Sequence, residues 1–439
     1  MDYKIDTTTE RLHSTGGIAL VGKILERIGF GEEKGCDTPM YPHILKSIIG
    51  LLAQGRTRFE EISLFRNDTF FRDSLNLEYV PAKETVRLYL ERMIPKQKSV
   101  NSIIEEASVR LLQSCKFTSI EIEDRNYLPV DIDTSPLDNS KSKKEGVSRT
   151  YKQYDGYHPI FSYIGREGYM LDCELREGKQ HCQNGTPEFL KHTIHMISQL
   201  HIDAPLLFRL DGGNDSKAIL KLLEERKHFF IVKRNLRKEL PEYWLSVAHA
   251  QGTITYQDAS KTVYTGIHTG KNPAGDESFP ALDIIFQVTE KRIASDGTPL
   301  LFPEITTETF WTNMYESPER IIDLYHDHGT SEQFHSELKT DMNVERLPSG
   351  KFAVNAMLLK LAMVAFNILR FIGQTAISLK TDLPYKTLAK RKRLRKVIDD
   401  LIRVAVKVIQ HARKSIIKVW DKDPWLSCFR KVYIACCNI

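Results

Sequence analysis

The chain predicts a mixed α/β fold, a sheet-and-helix core interrupted by a β-rich insertion and flanked by helical regions at both ends. Three observations point there. Apolar spacing is helical to about residue 118, switches to short alternating runs from Ser119, and becomes helical again after Pro318. With 439 residues, 41% hydrophobic and 27% charged, the chain has the composition of an ordinary water-soluble protein with at least one sizeable core.

In order, Ile18–Ile28, Tyr41–Gln54, Arg58–Phe65, Ala82–Met93 and Val100–Cys115 each carry apolar residues at helical spacing. Breaks at Gly29-Phe-Gly31, Gly55 and Pro81 separate them. The short helix Phe59–Phe65, the link Arg66-Asn-Asp68 and a helix opening near Pro81–Glu84 resemble a helix-turn-helix. Ser119–Asp124 and Tyr127–Asp133 alternate as strands, and Pro159–Ile164 and Tyr169–Glu174 flank Gly165-Arg-Glu-Gly168 as a hairpin. Thr186–Leu200 predicts a helix, Ala204–Leu210 a buried strand, Asp215–Arg226 a helix and Phe229–Lys233 another buried strand.

From Asn235 to about Thr306 the helical signal fades. Gly252–Gln257, Thr262–His268 and Ala281–Thr289 are strand-like, separated by turn-rich stretches such as Gly270–Gly275. Thr307–Asn313 is a further strand, Pro318–Lys339 a long helix, and Val354–Ile377 and Lys390–Val419 are helices ahead of a cysteine-bearing tail. The order β-β-β-α-β-α-β, an insertion, then β-α matches a ribonuclease-H-like catalytic core, a mixed sheet flanked by helices. The expected division is 1–118 helical and DNA-binding, 119–234 first part of the core, 235–306 insertion, 307–345 second part with the catalytic helix, and 346–439 a helical C-terminal region with a basic tract.

Composition narrows the function. Net charge is only +5, yet between Lys380 and Trp420 stand 13 Lys and Arg against 3 Asp and Glu, so that segment carries +10 and the remainder −5. Such a local surplus suits a polyanion, and Lys390, Arg391, Lys392 and Arg393 are its densest part. The seven cysteines, at 36, 115, 173, 182, 428, 436 and 437, form no CxxC modules, and His181-Cys182 has no second ligand pair. Met1-Asp-Tyr-Lys-Ile-Asp lacks the basic start and apolar core of a secretory leader, so a reducing cytoplasm is expected. Phe352–Gly373 is apolar enough to invite a membrane reading. Asn355, Lys360, Asn367 and Arg370 interrupt it and predict a buried core helix instead.

Three acids stand where chemistry is expected. In Val130-Asp131-Ile132-Asp133 the period of two puts both aspartates on one face and the apolar pair on the other. Leu206-Leu-Phe-Arg-Leu-Asp211-Gly-Gly sets an acid just beyond the carboxyl end of a buried strand, where open sheets bind ligands. Tyr325, His328, Glu332 and Lys339 step by three, four and seven along one helix face. Carboxylates from two strands and a helix suit a pair of hard divalent cations such as Mg²⁺, which can serve both the attacking and the leaving oxygen of a phosphodiester. A nearby lysine and tyrosine can hold phosphate oxygens.

Together with Gly156-Tyr-His-Pro159, Leu175-Arg-Glu-Gly178 and Lys233-Arg-Asn-Leu236, these tracts resemble the DDE transposases of bacterial insertion sequences, and within them the insertion-sequence 1380 family, from about residue 15 to 375. The resemblance implies Asp133, Asp211 and Glu332 as catalytic acids and ligands of two Mg²⁺ ions, with Mn²⁺ as a substitute and Asp131 as the fallback first acid. It aligns Tyr325, Glu332 and Lys339 with the Tyr-x2-Arg-x3-Glu-x6-Lys signature of cut-and-paste relatives; His328 stands where that signature has arginine, and lacks its bidentate fork. Tyr325, His328 and Lys339 are thus the expected phosphate contacts, and Trp244 or Trp311 a candidate neighbour of a flipped base in the insertion. Implied partners are inverted terminal repeats, target DNA and a second copy in a synaptic homodimer. The rival readings are a repeat-binding protein without activity and a ribonuclease-H-like nuclease without strand transfer.

Overall fold

The computed structural model describes residues 3, 5–31, 41–271, 281–412 and 414–439; Cys36 and the turn residues 272–275 lie outside them. The N-terminal helices are α1 (Ile18–Arg27), α2 (Tyr41–Leu52), a 3₁₀ turn Phe59–Phe65, α3 (Thr69–Ser74), α4 (Lys83–Arg92) and α5 (Gln97–Gln113). Helix α3 was not expected from the spacing. It starts because Asp68, read as part of a link, accepts hydrogen bonds from the Phe70 and Phe71 amides as an N-cap.

The main sheet begins with β1 (Arg125–Thr134), β2 (Ile160–Ile164) and β3 (Tyr169–Glu174), an antiparallel trio. Helix α6 (Thr186–Ser198), β4 (Leu206–Leu210), α7 (Lys217–Glu225) and β5 (Phe229–Lys233) follow, with β4 parallel to both β1 and β5. Residues 235–306 are less purely β than expected. Helix α8 (Pro241–Gln251), opened by a proline at its first position, precedes β6 (Thr253–Gln257), β7 (Lys261–Lys271) and β8 (Leu282–Ile293). Strand β9 (Pro299–Thr312) then runs straight through the expected boundary at 306 and pairs with β8 on one side and β5 on the other. The order is therefore β6-β7-β8-β9-β5-β4-β1-β2-β3, with the short strand Ile120–Ile122 added on β1. The insertion is an extension of one continuous sheet.

Alternation along β1 works as its sequence predicts. Val130 and Ile132 join a core with Phe208, Leu210 and the apolar faces of α6 and α7. On the opposite face, Leu207, Ile231 and Phe310 pack against α9 (Pro318–His326). The expected helix Pro318–Lys339 is broken. A 3₁₀ turn, Asp327–Gly329, separates α9 from α10 (Thr330–Ser336), and a π turn, Glu337–Asp341, ends it. Gly168, at φ +70 in the β2–β3 turn, lets this segment come close, since a Cβ there would lie 2.2 Å from the Phe334 ring.

Helix α11 (Phe352–Ser378) is long and apolar enough to cross a membrane, yet 78% of its most apolar window is buried within the protein. Its polar residues explain the placement. Asn355 bonds Tyr157 and Ser349, Lys360 meets Asp172 and Glu105, Asn367 takes both the amide and carbonyl of Met170, and Arg370 meets Glu337. Together they anchor the helix along its length, two of them on β3, and α11 joins the N-terminal helices, the sheet edge and the C-terminal segment in one core.

The expected helix Lys390–Val419 is not one. Helix α12 (Leu394–Val397) and a π turn to Ile402 give way to a hairpin of β10 (Val406–His411) and β11 (Lys414–Val419). Strand β10 also pairs with Leu12–His13, tying the two ends of the chain together, and α13 (Leu426–Cys437) packs beside α1.

Candidate active site

The register of β1 and β4 sets the first two acids. Asp131 pairs with Arg209 and Ile132 with Leu210, so Asp133 and Asp211 come one step later, side by side at the carboxyl ends of parallel strands. Asp133 Oδ1 accepts the Thr134 amide at 2.7 Å, and Asp211 Oδ1 accepts Asn214 Nδ2 at 2.6 Å. Glu332 reaches the same space from α10. All three line one cleft of about 610 Å³ with Tyr325, Lys339, Lys152 and Lys233. Despite the 3₁₀ and π turns, Tyr325, His328, Glu332 and Lys339 all still border this cleft.

Burial, then the charge of Asp211 and more weakly that of Glu332, pushes the Asp133 carboxyl up to about 7. The charge of His328 and the Thr134 amide pull the other way without cancelling that rise. His335 Nδ1 lies 3.6 Å from Asp133 Oδ2, but burial holds that imidazole well below its ordinary pKa. Lys339 Nζ donates to Ser135 Oγ at 2.6 Å, and burial lowers its pKa too. A group of oxygen donors that repel one another, facing an open cleft, fits hard divalent cations. Among the described residues, the one group of three potential ligands with donor atoms all within 4.8 Å is a different set: Glu105, Asp172 and His192. There Lys360 already contacts both carboxylates, and the hydrogen bonds that His192 donates to Asp172 and Glu105 raise its pKa to about 9. Two cations against two anions make it a balanced ionic cluster.

A second charged layer lies directly beneath the acids. Arg209 Nε and Nη2 grip the two carboxylate oxygens of Asp131 at 2.6 and 2.8 Å, and Arg209 Nη1 donates to the Leu324 carbonyl at 2.8 Å. His328 Nδ1 is 2.9 Å from Asp131 Oδ1. Burial works against the Asp131 charge, but Arg209 and His328 overcome it and hold the group down at about 2. Burial likewise opposes a charged His328, and Asp131 raises its pKa in return. Asp131 and Arg209 precede Asp133 and Asp211 by two positions, and His328, in the 3₁₀ turn ahead of α10, precedes Glu332 by four. The fallback acid Asp131 is therefore engaged by Arg209. His328, expected to touch phosphate, is buried and turned to Asp131.

The other expected residues divide. Tyr325 packs on Phe310 with ring centres 4.7 Å apart and keeps its edge in the cleft. Lys390 is exposed. The rest of the tract is paired within the protein, although Arg393 stays exposed. Arg391 pairs with the buried Glu337 and lies 4.6 Å over Phe334. Lys392, only 6% exposed, bonds Asp400 at 2.7 Å and Tyr385 at 2.9 Å, and Arg393 grips Asp341 at 2.8 and 3.1 Å. Arg391, Lys392 and Arg393 thus clamp the C-terminal segment, Arg391 and Arg393 onto the π turn after α10. Trp244 and Trp311 are buried around Arg234, whose guanidinium lies 5.5 and 4.7 Å from their rings, so neither presents a surface to a base. The cations missed in the sequence are Lys152 and Lys233, and Lys233 is paired with Glu308. Lys233 lay within a tract singled out above, but only the sheet register brings its strand end beside the acids.

No curated protein matches the chain in sequence. Among solved structures, it is similar to the piggyBac transposase in a cryo-EM structure of its synaptic complex with hairpin DNA, at 9% identity over 88% of this chain and 80% of that one, with a TM-score of 0.44. The family profile described as "Transposase DDE domain group 1" matches residues 3–437. By that match over nearly its whole length, the chain belongs to the group 1 DDE-domain transposases.

Proposed function

We propose that this protein is a cut-and-paste DNA transposase that hydrolyses phosphodiesters at the inverted terminal repeats of its element and then transfers the freed ends to target DNA. One observation carries the reading: Asp133, Asp211 and Glu332, more than a hundred residues apart from first to last, meet in a single cleft rimmed by lysines. Asp133 is the first acid, since Asp131 is engaged with Arg209. The strand order β3-β2-β1-β4-β5 with a late acidic helix supports a ribonuclease-H-like core. Within the family, the tracts quoted above favour the insertion-sequence 1380 group, and with it a bacterial cytoplasm.

Asp133, Asp211 and Glu332 would hold two Mg²⁺ ions, or Mn²⁺ in their place. Such ions supply charge stabilisation to the attacking and leaving oxygens and ease deprotonation of the nucleophile. The protein's own groups do the rest. Lys339 and Lys152 attract the non-bridging oxygens of the scissile phosphate, and the Tyr325 hydroxyl, raised in pKa by burial and the cleft acids, stays protonated as a donor. Tyr325, Glu332 and Lys339 match relatives that form hairpin ends; hairpinned transposon ends on a denaturing gel support that route, and nicked linear ends alone count against it. Synapsis of two ends calls for a homodimer on DNA.

The test is cleavage of DNA carrying the inverted repeats that flank the gene. Asp133→Ala, Asp211→Ala and Glu332→Ala should each lower the rate about a thousandfold or more while end binding persists. Full cleavage by any one of them removes that residue from the site. Cleavage without joining would mark a nuclease, and repeat binding without cleavage by the wild type a repressor.

A further inference from the structure

Two tracts that carry no role in the chemistry above, Gly156-Tyr-His-Pro159 and Leu175-Arg-Glu-Gly178, build one wall together. Gly178 crosses so close to the neighbouring backbone that a Cβ would lie 2.1 Å from the Ser148 carbonyl and 2.3 Å from that of Gly156. The His158 amide donates to the Arg176 carbonyl at 3.0 Å, and His158 Nδ1 lies 3.0 Å from the Gln180 carbonyl. Arg176, buried, fixes the far side by donating to Glu174 at 2.6 Å and to the Cys182 carbonyl and Thr186 hydroxyl at 3.1 Å each. Such a network makes a preformed surface.

That wall encloses a second cleft, of about 440 Å³, which meets the first at Thr134, Tyr151 and Asp211. Its volume lies within the usual range for a small-molecule-sized ligand. Tyr151 stands at the junction with 59% of its surface exposed, its ring 5.2 Å from that of His158 and 5.9 Å from Lys152 Nζ. Arg149 and Lys179 also line the cleft, held only by loose pairs at 3.8 and 3.5 Å. An accessible aromatic ring among exposed cations matches the stacking-plus-phosphate pattern of single-stranded nucleic-acid sites.

We infer that this second cleft takes one unpaired nucleotide of the cleaved strand, adjacent to the scissile phosphate, with its base stacked on Tyr151. A base inside a duplex has both faces covered and could not use the ring, so the nucleotide must leave the stack. Arg149 and Lys179 would take its flanking phosphates. The inference rests on the transposase reading, because the shared Asp211 is what places the cleft next to the reacting phosphate.

The experiment uses the full chain and end DNA in which 2-aminopurine replaces, one at a time, each nucleotide flanking the cleavage site. At one position the probe should be quenched on Asp133→Ala protein and brighter on Asp133→Ala/Tyr151→Ala protein. In the cleavage-competent background, Tyr151→Ala and Tyr151→Leu should each raise KM about ten- to a hundredfold on intact ends. On DNA abasic at the reporting position the three proteins should share one KM within about twofold. If the wild type cleaves ends but neither the probe nor KM depends on Tyr151, this inference falls and the transposase reading stands. A wild type that cleaves no end DNA removes both.

Discussion

Two layers of charge, separated by one side-chain step along the same strands, behave in opposite ways. In the lower layer Asp131 is enclosed by Arg209 and His328 and held ionised at about 2. In the upper layer Asp133 meets Asp211 and Glu332 across an open cleft and is pushed up to about 7. The residue type is identical, and the same face of the same strand carries both. What differs is the partner supplied by the neighbouring elements. A matched charge fixes architecture, whereas an unmatched one stays available to a ligand. The lower layer also bonds β1 to β4 and to the end of α9, so it holds in register the elements that present the upper one.

The comparison breaks most visibly if the lower layer is opened. Arg209→Met leaves Asp131 without its main partner and should destabilise the fold by about 3–5 kcal/mol in denaturant titration. Adding Asp131→Leu should recover much of that loss, because an apolar pair removes the stranded charge. If Arg209→Met leaves stability unchanged, the lower layer is not the clamp described.

The C-terminal tract tests the same distinction between matched and unmatched charge. Lys392→Ala removes the partner of Asp400 in a buried setting and should lower stability by about 3 kcal/mol without altering the salt dependence of DNA binding. Lys152→Ala, by contrast, should leave stability nearly unchanged and reduce the slope of log affinity against log salt by about one. The reverse outcome would return the tract to the DNA-binding surface.

The smallest effect sharpens the upper layer by pH. The folded-state pKa of Asp133, about 7, lies above its ordinary 3.8, so the folded protein holds that proton more tightly than the unfolded chain. Its stabilising contribution is therefore complete below about pH 4 and is lost as pH rises through about 7. Without divalent ions, Asp133→Asn should gain melting temperature relative to the wild type across that window. A constant difference between the two proteins from pH 4 to 8 would contradict the charge crowding.

How much of this was legible in the sequence follows from the range of each signal. Val130-Asp-Ile-Asp133 declares its faces through periodicity, Leu206–Leu210 declares a buried strand through its apolar run, and α11 is readable as a core helix through its interrupting polar residues. Arg209 was visible inside an apolar run, yet its meaning required the register that sets Asp131 opposite it. Lys390–Val419 reads as one helix because its charges hide a period of two in its second half. Val406-Lys-Val-Ile and Ser415-Ile-Ile-Lys-Val flank a turn in which Ala412 takes φ +46. Of the two breaks in the late helix, Gly329 marks the 3₁₀ turn locally, whereas the π turn holding Glu337 and Asp341 has no local mark, being secured by Arg370, Arg391 and Arg393 from distant segments.

The most direct test is to locate Mn²⁺ by anomalous scattering in crystals of the protein soaked with the ion. Peaks are expected within coordinating distance of Asp133, Asp211 and Glu332, and none beside Asp131 or within the cluster of Glu105, Asp172 and His192. An ion in that cluster, or an empty upper layer at saturating Mn²⁺, would contradict that expectation.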